Sequence, residues 1–187
     1  MSSVLDLENL IQNIDGKLAK VSDMAEIAEQ QAAADREEMN RYILVGIGAL
    51  HLAIAINDLS EVGPLPAITA LPNLPQWVQG IVNIRSDIVS VIDLGGFLRV
   101  ADKGVCDGHR LAVVRHNKQK IGIRVDRIIG TVNKAVSETK PLDFFDKNPV
   151  DKYLFTTGLF VDKNFYYILD VPRFLTAPRL VNYNGKG

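Results

Sequence analysis

Residues 80–98 read GIVNIRSDIVSVIDLGGFL, and residues 158–175 read GLFVDKNFYYILDVPRFL. Each stretch opens on a glycine, alternates apolar positions up to a polar break, returns through a second apolar run and closes on aspartate. Gly80 corresponds to Gly158, Asp93 to Asp170 and Phe97-Leu98 to Phe174-Leu175, with one residue lost at the turn. Period-two apolar runs of this length are strands. An aspartate before a short apolar segment is a helix N-cap, because its carboxylate accepts an orphan backbone N–H. The first stretch therefore predicts strands over 80–85 and 88–92, a turn at Ser86-Asp87, and a short helix over 94–98.

Working outward, HLAIAINDL from His51 matches KIGIRVDRI from Lys120 in the same order. Ile43, Val45 and Ile47 alternate with Leu44 and Gly46, Gly48-Ala49 makes a tight turn, and Leu52, Ile54 and Ile56 share one face. That is a hairpin with two mostly buried faces. Residues 57–62 are expected as one helical turn or a bend, and Pro64, Pro66, Pro72 and Pro75 keep the following chain extended. Residues 101–108, ADKGVCDG, form a polar break. Strands are expected over 110–115, 121–125, 153–161 and 165–169, with 125–132 a strand or a bent strand and 134–149 a loop. Two collinear matches indicate an internal duplication giving two related small barrels.

The first forty residues follow a different period. Val4, Ile11, Leu18, Ala25 and Ala32 fall on one heptad position, and Leu7, Ile14, Val21 and Ala28 on another, until Asp35 breaks the pattern. This predicts an amphipathic, coiled-coil-compatible helix. Gly16 costs it about 1 kcal/mol of helix propensity. Self-association, a partner helix, packing against the rest of the chain and partial disorder all stay open.

Composition narrows the function classes. The 187 residues carry 21 basic and 22 acidic side chains, a formal net charge of −1, so no long-range field draws nucleic acid or an anionic membrane. Cys106 is the one cysteine and cannot form an internal disulfide, which fits a reducing compartment. The first residues, MSSVLDLENL, lack a basic n-region and are not expected to be a secretory signal. The longest apolar run, residues 42–56, is interrupted by His51 and falls short of the roughly 20 residues a spanning helix needs. A cytoplasmic protein without direct membrane insertion is expected.

The search for reacting groups yields little. Gly46-x-Gly48 follows an apolar strand, but a dinucleotide fingerprint needs a helix next, and residues 50–56 alternate like a strand. His51, His109 and His116 have no partner at metal-ligand spacing, and one thiol cannot build a zinc site. Asp93, Asp126 and Asp170 each directly follow a strand, where capping and turn roles are usual. Asp87 sits at a turn. No cofactor and no metal site is expected. Trp77, in LPNLPQWVQG, is either a plug covering the core or an interface anchor. Arg85 is the only basic residue between Arg41 and Arg99, which favours a specific pairing over simple solvation.

Residues 57–98 resemble the CheW family. The chain supplies Leu59-x-Glu61-Val62 for the family's bend and Ile68-Thr69-x-Leu71-Pro72-Asn73-x-Pro75 for its loop. It then supplies Gly80, Asn83-Ile84-Arg85, Ile88, Val91 and Ile92-Asp93-Leu94, and downstream Ile121-Gly122-Ile123-x-Val125-Asp126, Gly158 and Leu169-Asp170. The resemblance covers about residues 41–176. Ser86 stands where the family usually has glycine and Ser90 where it usually has proline. The W-V-x-G and D-L-x-G-F patches look like the coupling proteins of type IV pilus (twitching) systems.

The fold implied is mainly β: two intertwined five-stranded SH3-like β-barrels, roughly residues 41–100 and 109–176. The amphipathic helix of residues 1–40 precedes them and a tail over 177–187 follows. The function implied is a non-catalytic adaptor in bacterial chemosensory signalling. Its partners would be the regulatory domain of a CheA-type histidine kinase and the cytoplasmic tip of a methyl-accepting receptor. By position, Leu59, Glu61, Gly80, Asn83 and Arg85 belong to the receptor and kinase contact region, and Gly122 to a receptor-contact region on the second barrel. Arg85 would hold a carboxylate or carbonyls, Glu61 would set charge complementarity and Leu59 would supply apolar area. An enzyme would need clustered polar groups in a pocket. A small-ligand or nucleic-acid-binding β-barrel is the other alternative, and nucleic acid would need a basic face with aromatics.

Overall fold

The computed structural model describes residues 38–100, 108–142 and 153–182. The chain divides into Met1–Glu38 and Met39–Gly187, and every element below lies in the second unit. The heptad segment and residues 101–107 of the polar break, Cys106 among them, fall outside the described residues.

Among the described residues, eleven strands form two sheets. β1 (Met39–Ile47) and β2 (Leu50–Ala55) make the first hairpin, with the chain reversing at Gly48-Ala49. A 3-10 turn, Ile56–Asp58, leads into β3 (Leu59–Pro64). β4 (Val78–Ile84) and β5 (Asp87–Asp93) make the second hairpin, and α1 (Leu94–Leu98) follows. β6 (Arg110–His116), β7 (Gln119–Val125) and β8 (Arg127–Ala135) come next, then a two-residue β9 (Lys140–Pro141). β10 (Thr157–Val161) and β11 (Asn164–Ile168) make the last hairpin, followed by α2 (Val171–Leu175) and α3 (Pro178–Val181).

Sheet I has the order β8-β1-β2-β11-β10-β9 and sheet II the order β3-β6-β7-β5-β4. The duplication explains both. If β1, β2 and β3 are matched with β6, β7 and β8, and β4, β5 with β10, β11, the order of sheet II becomes that of sheet I without β9. In each sheet the central hairpin comes from one half, while the outer hairpin and the opposite edge strand come from the other. Two parallel pairings, β2 with β11 (Leu52↔Tyr167) and β5 with β7 (Val91↔Gly122), and two antiparallel ones, β1 with β8 and β3 with β6, join the halves. The halves are interlocked strand by strand.

Apolar alternation gives each sheet two buried faces. One face of each sheet enters a shared core: Ile43, Val45, Leu52 and Ile54 from sheet I, and Ile92, Ala112, Val114 and Ile123 from sheet II. Phe97, Phe155 and Phe174 fill its flanks. The other face of sheet I gathers Tyr42, Leu44, Ala53, Leu159 and Tyr166. The other face of sheet II gathers Val82, Val89, Val91, Leu111 and Val113, with Leu65 and Ile68 packed against them.

The helix caps match the sequence. The Asp93 carboxylate accepts from Gly95 N at 3.1 Å, and that of Asp170 from Arg173 N at 3.0 Å. Asp126 accepts from Gly48 N at 2.6 Å, closing the β1–β2 turn from a residue in the other half. Trp77 is 7% exposed. It meets Phe97 edge-on at 5.0 Å, and the Arg179 guanidinium lies 5.9 Å above its ring. Of the two readings of Trp77, the plug fits.

Several expectations are corrected. Residues 59–62 are strand, since β3 pairs antiparallel with β6 from Leu59↔Val114 to Pro64↔Arg110. Pro64 is tolerated because β3 is an edge strand. Lys134 and Ala135 continue β8 against β1, and Lys140–Pro141 pairs with β10, so 134–149 is not wholly loop. Strand structure begins at Thr157 and not at Tyr153. The tail expected from residue 177 contains α3, because Ala177 and Leu180 are buried. The β4–β5 turn lies one residue earlier than expected. Ile84↔Asp87 is the last pair, which leaves Arg85 and Ser86 as the two-residue loop.

Candidate functional site

Three of the six sequence-selected residues lie on one transverse row of sheet II. Pairing runs Glu61↔Val113, Val113↔Gly122, Gly122↔Val91 and Val91↔Gly80, across all five strands. Residues directly opposite one another share a face, so this row lies on the face of the Val91–Val113 cluster. The two glycines are its close-packed positions. A Cβ on Gly122 would stand 2.9 Å from Leu111 Cδ1 and 3.3 Å from Val91 Cγ2. Gly80 has φ +136, and a Cβ there would stand 2.2 Å from the carbonyl oxygen of Thr69. Thr69 and Ile81 exchange backbone hydrogen bonds of 2.8 and 2.9 Å, which holds the proline-rich loop against β4. Both glycines are buried and shape the site from beneath.

Leu59 and Glu61 part company. Simple alternation would place them on one face. Ser60 is a bulge between them, so Leu59 sits opposite Val114 and packs on the shared core, while Glu61 sits opposite Val113 on the other face. An extra residue on one strand reverses the side-chain phase beyond it. The Ser60 hydroxyl donates to the Val113 carbonyl at 3.3 Å.

The β4–β5 tip brings Arg85 to Glu61. Arg85 (φ 48) and Ser86 (φ 73) both adopt the left-handed conformation that a two-residue hairpin turn of this twist requires. Asn83 Oδ1 accepts from Ser86 N at 3.1 Å and steadies the turn. Arg85 Nε then lies 3.4 Å from Glu61 Oε2, with the arginine side chain 84% exposed and the glutamate 34%. An ion pair this exposed contributes about 0–1 kcal/mol to folding, so its charges are available to a partner at little structural cost. A glycine would occupy the Ser86 conformation without the Cβ penalty. Ser86→Gly should therefore stabilise the fold by about 1 kcal/mol, read as a higher denaturant midpoint at unchanged m-value. An unchanged midpoint would show that Asn83 and the flanking strands already offset the strain.

Behind the Arg85–Glu61 pair lies a groove of about 150 Å³, lined by Ser60, Glu61, Ile84, Arg85, Asp87, Val89, Val113 and Lys120. Lys120 Nζ sits 2.6 Å from Asp87 Oδ2 and closes the groove on the side of β7. Asp87 and Lys120 are 33 positions apart, and no local pattern marks them as neighbours. A larger hollow of about 570 Å³ lies beside α1 and α3, lined by Phe97, Leu98, Arg99, Tyr153, Leu154, Ala177, Pro178 and Arg179. Those residues include two arginines and no carboxylate. No group of three His, Cys, Asp or Glu side chains with metal-binding placement occurs among the described residues.

A CheW-like domain model matches residues 41–179, most of the chain. The chain belongs to the CheW-like domain family. Its curated relatives include chemotaxis protein CheW of Klebsiella aerogenes, 23% identical over 84% of this chain and 94% of that protein. Chemotaxis protein CheW of Helicobacter pylori is 28% identical over 66% of this chain and 77% of that protein. Protein PilI of Pseudomonas aeruginosa is 28% identical over 52% of this chain, and the match spans 56% of PilI's length. The crystal structure of scaffolding protein TtCheW from Thermoanaerobacter tengcongensis superposes with a TM-score of 0.67 at 22% identity, covering 80% of this chain and 97% of that one. The CheW-like fold and the scaffold and chemotaxis-signalling character of the family fit the sequence expectation. No described helix is long and apolar enough to cross a membrane.

The two patches that look like pilus-type coupling proteins meet in the CheW-like core. Trp77 of W-V-x-G packs edge-on against Phe97 of D-L-x-G-F. Neither ring lines the groove.

Proposed function

We propose that this CheW-like chain is a non-catalytic adaptor that acts in the cytoplasm and couples methyl-accepting chemoreceptors to a CheA-type histidine kinase. The observation that carries the reading is the exposed Arg85–Glu61 pair, mounted on a hairpin tip over a groove that combines charged walls with Ile84, Val89 and Val113. A planar guanidinium with most of its surface in water can turn from Glu61 to a partner carboxylate or carbonyls without breaking a folded-state interaction of consequence. The groove floor of Ile84, Val89 and Val113 would receive an apolar side chain from a receptor helix. Two sheets built on one interlocked scaffold offer a second face to the kinase, so that each partner biases the binding of the other. In this reading each sheet closes as an SH3-like barrel. A pilus-type output is a variant of the same reading, supported by the match to PilI.

Arg85→Ala tests the site. The variant should melt like the wild type while capturing a receptor hairpin-tip fragment and the kinase regulatory domain about tenfold more weakly in a pull-down, the scale of a lost charge-assisted contact. Wild-type assembly by the folded variant would defeat the assignment.

A further inference from the structure

The duplicated fold builds the groove corner twice, with different charges in the two copies: the hairpin tip is Arg85-Ser86 in sheet II and Asp162-Lys163 in sheet I. In sheet II the corner carries Glu61, Asp87 and Lys120. The matching positions in sheet I are Gly130, Asn164 and His51, since Gly130 lies opposite Leu44 after a bulge as Glu61 lies opposite Val113. There His51 stacks on Tyr166 at 5.2 Å, and the position of a Gly130 Cβ meets nothing within 4 Å. The scaffold alone therefore does not require the second ion pair of sheet II. That pair also stands at the groove wall facing Arg85–Glu61, so charge alternates across the opening: Glu61, Arg85, Asp87, Lys120. The outermost members are Arg85 at 84% exposure and Asp87 at 61%, with Glu61 and Lys120 set beneath them at 34% and 44%.

We infer that Asp87 is a specificity-determining residue of this groove and that Lys120 positions it. The segment they select is helical, with an apolar side chain seated on Ile84, Val89 and Val113, an acidic side chain facing Arg85 and a basic one facing Asp87. The inference rests on the adaptor reading above and assigns the partner's charge order. Opposed charges at a contact rim act mainly through selection, because a like-charge encounter costs more than a matched one gains. Lys120 comes from the other half of the duplication, so the charge order exists only when β7 lies beside β5.

The test uses the full chain and a receptor fragment carrying the cytoplasmic hairpin tip from the same genome, with Kd measured for four variants of unchanged melting temperature. Asp87→Lys should weaken binding about tenfold. The swap D87K/K120D restores an ion pair with reversed polarity and should stay weak. If the swap recovers wild-type affinity, the pair is only a structural tie and the inference is overturned. Wild-type binding by Asp87→Lys, with Arg85→Ala weakened, also overturns it and leaves the adaptor site standing. Wild-type binding by Asp87→Lys and Arg85→Ala together removes the site itself. Lys120→Ala should weaken binding less than Asp87→Lys, and a larger loss would reverse the roles given to the two residues.

Discussion

Gly80→Ala should cost about 3–4 kcal/mol and lower the melting temperature by roughly 10 °C. The backbone at Gly80 has φ +136, outside the range a side chain tolerates, and the new Cβ would stand 2.2 Å from the Thr69 carbonyl. Strain at such a backbone position contributes about 1–3 kcal/mol, and forcing Thr69 and Ile68 away adds a comparable amount. Relief would break the two hydrogen bonds between Thr69 and Ile81 and lift the proline-rich loop from β4. Ile68, packed against the Val91–Val113 cluster, would lose that contact with it. Chemical denaturation with a parallel thermal scan measures the effect. A wild-type midpoint would mean that the loop is not pinned at Gly80. Any binding defect of Gly80 variants thus reflects collapse of the platform under Arg85, whereas Arg85→Ala removes a contact from an intact platform.

The second large effect is in the shared core. Phe174 on α2 is 0% exposed and lies edge-on to Phe97 at 5.7 Å. Phe174→Ala should cost about 3–5 kcal/mol, the transfer free energy of the ring plus the cavity left behind. The form of the transition is as diagnostic as its midpoint. Each sheet contains strands from both halves and both sheets feed one core, so neither half can melt without taking strands out of both sheets. Trp77 fluorescence and far-UV circular dichroism should therefore report one coincident transition, shifted down together in the variant. Two separate transitions would contradict the interlocked arrangement.

The candidate site was legible only in part. Arg85 stood out because it is the one Lys or Arg between Arg41 and Arg99, and Glu61 through the family pattern. Gly80, Asn83 and Gly122 fall at or near the same place, but the structure gives them supporting roles: Gly80 and Gly122 admit close packing, and Asn83 holds the turn. Leu59 was grouped with Glu61 by the family resemblance, and the Ser60 bulge put them on opposite faces. Lys120 was invisible, since nothing in QKIGIRV records that its second residue will meet Asp87.

The sequence by itself determined the hairpins and the aspartate caps, because each is written in neighbouring residues, and it disclosed the duplication through two collinear matches between its halves. Period-two burial, a carboxylate one residue ahead of a helix and a glycine at a turn act through local sterics and short hydrogen bonds. Tertiary structure alone decided which hairpin lies beside which. β3 became a strand only against β6, and the parallel seams β2–β11 and β5–β7 joined halves that the sequence keeps apart. Strand edges offer the same backbone donors and acceptors to any partner. The choice among partners is made by the total apolar area buried on the two faces of each sheet, and that quantity exists only once the whole chain has packed.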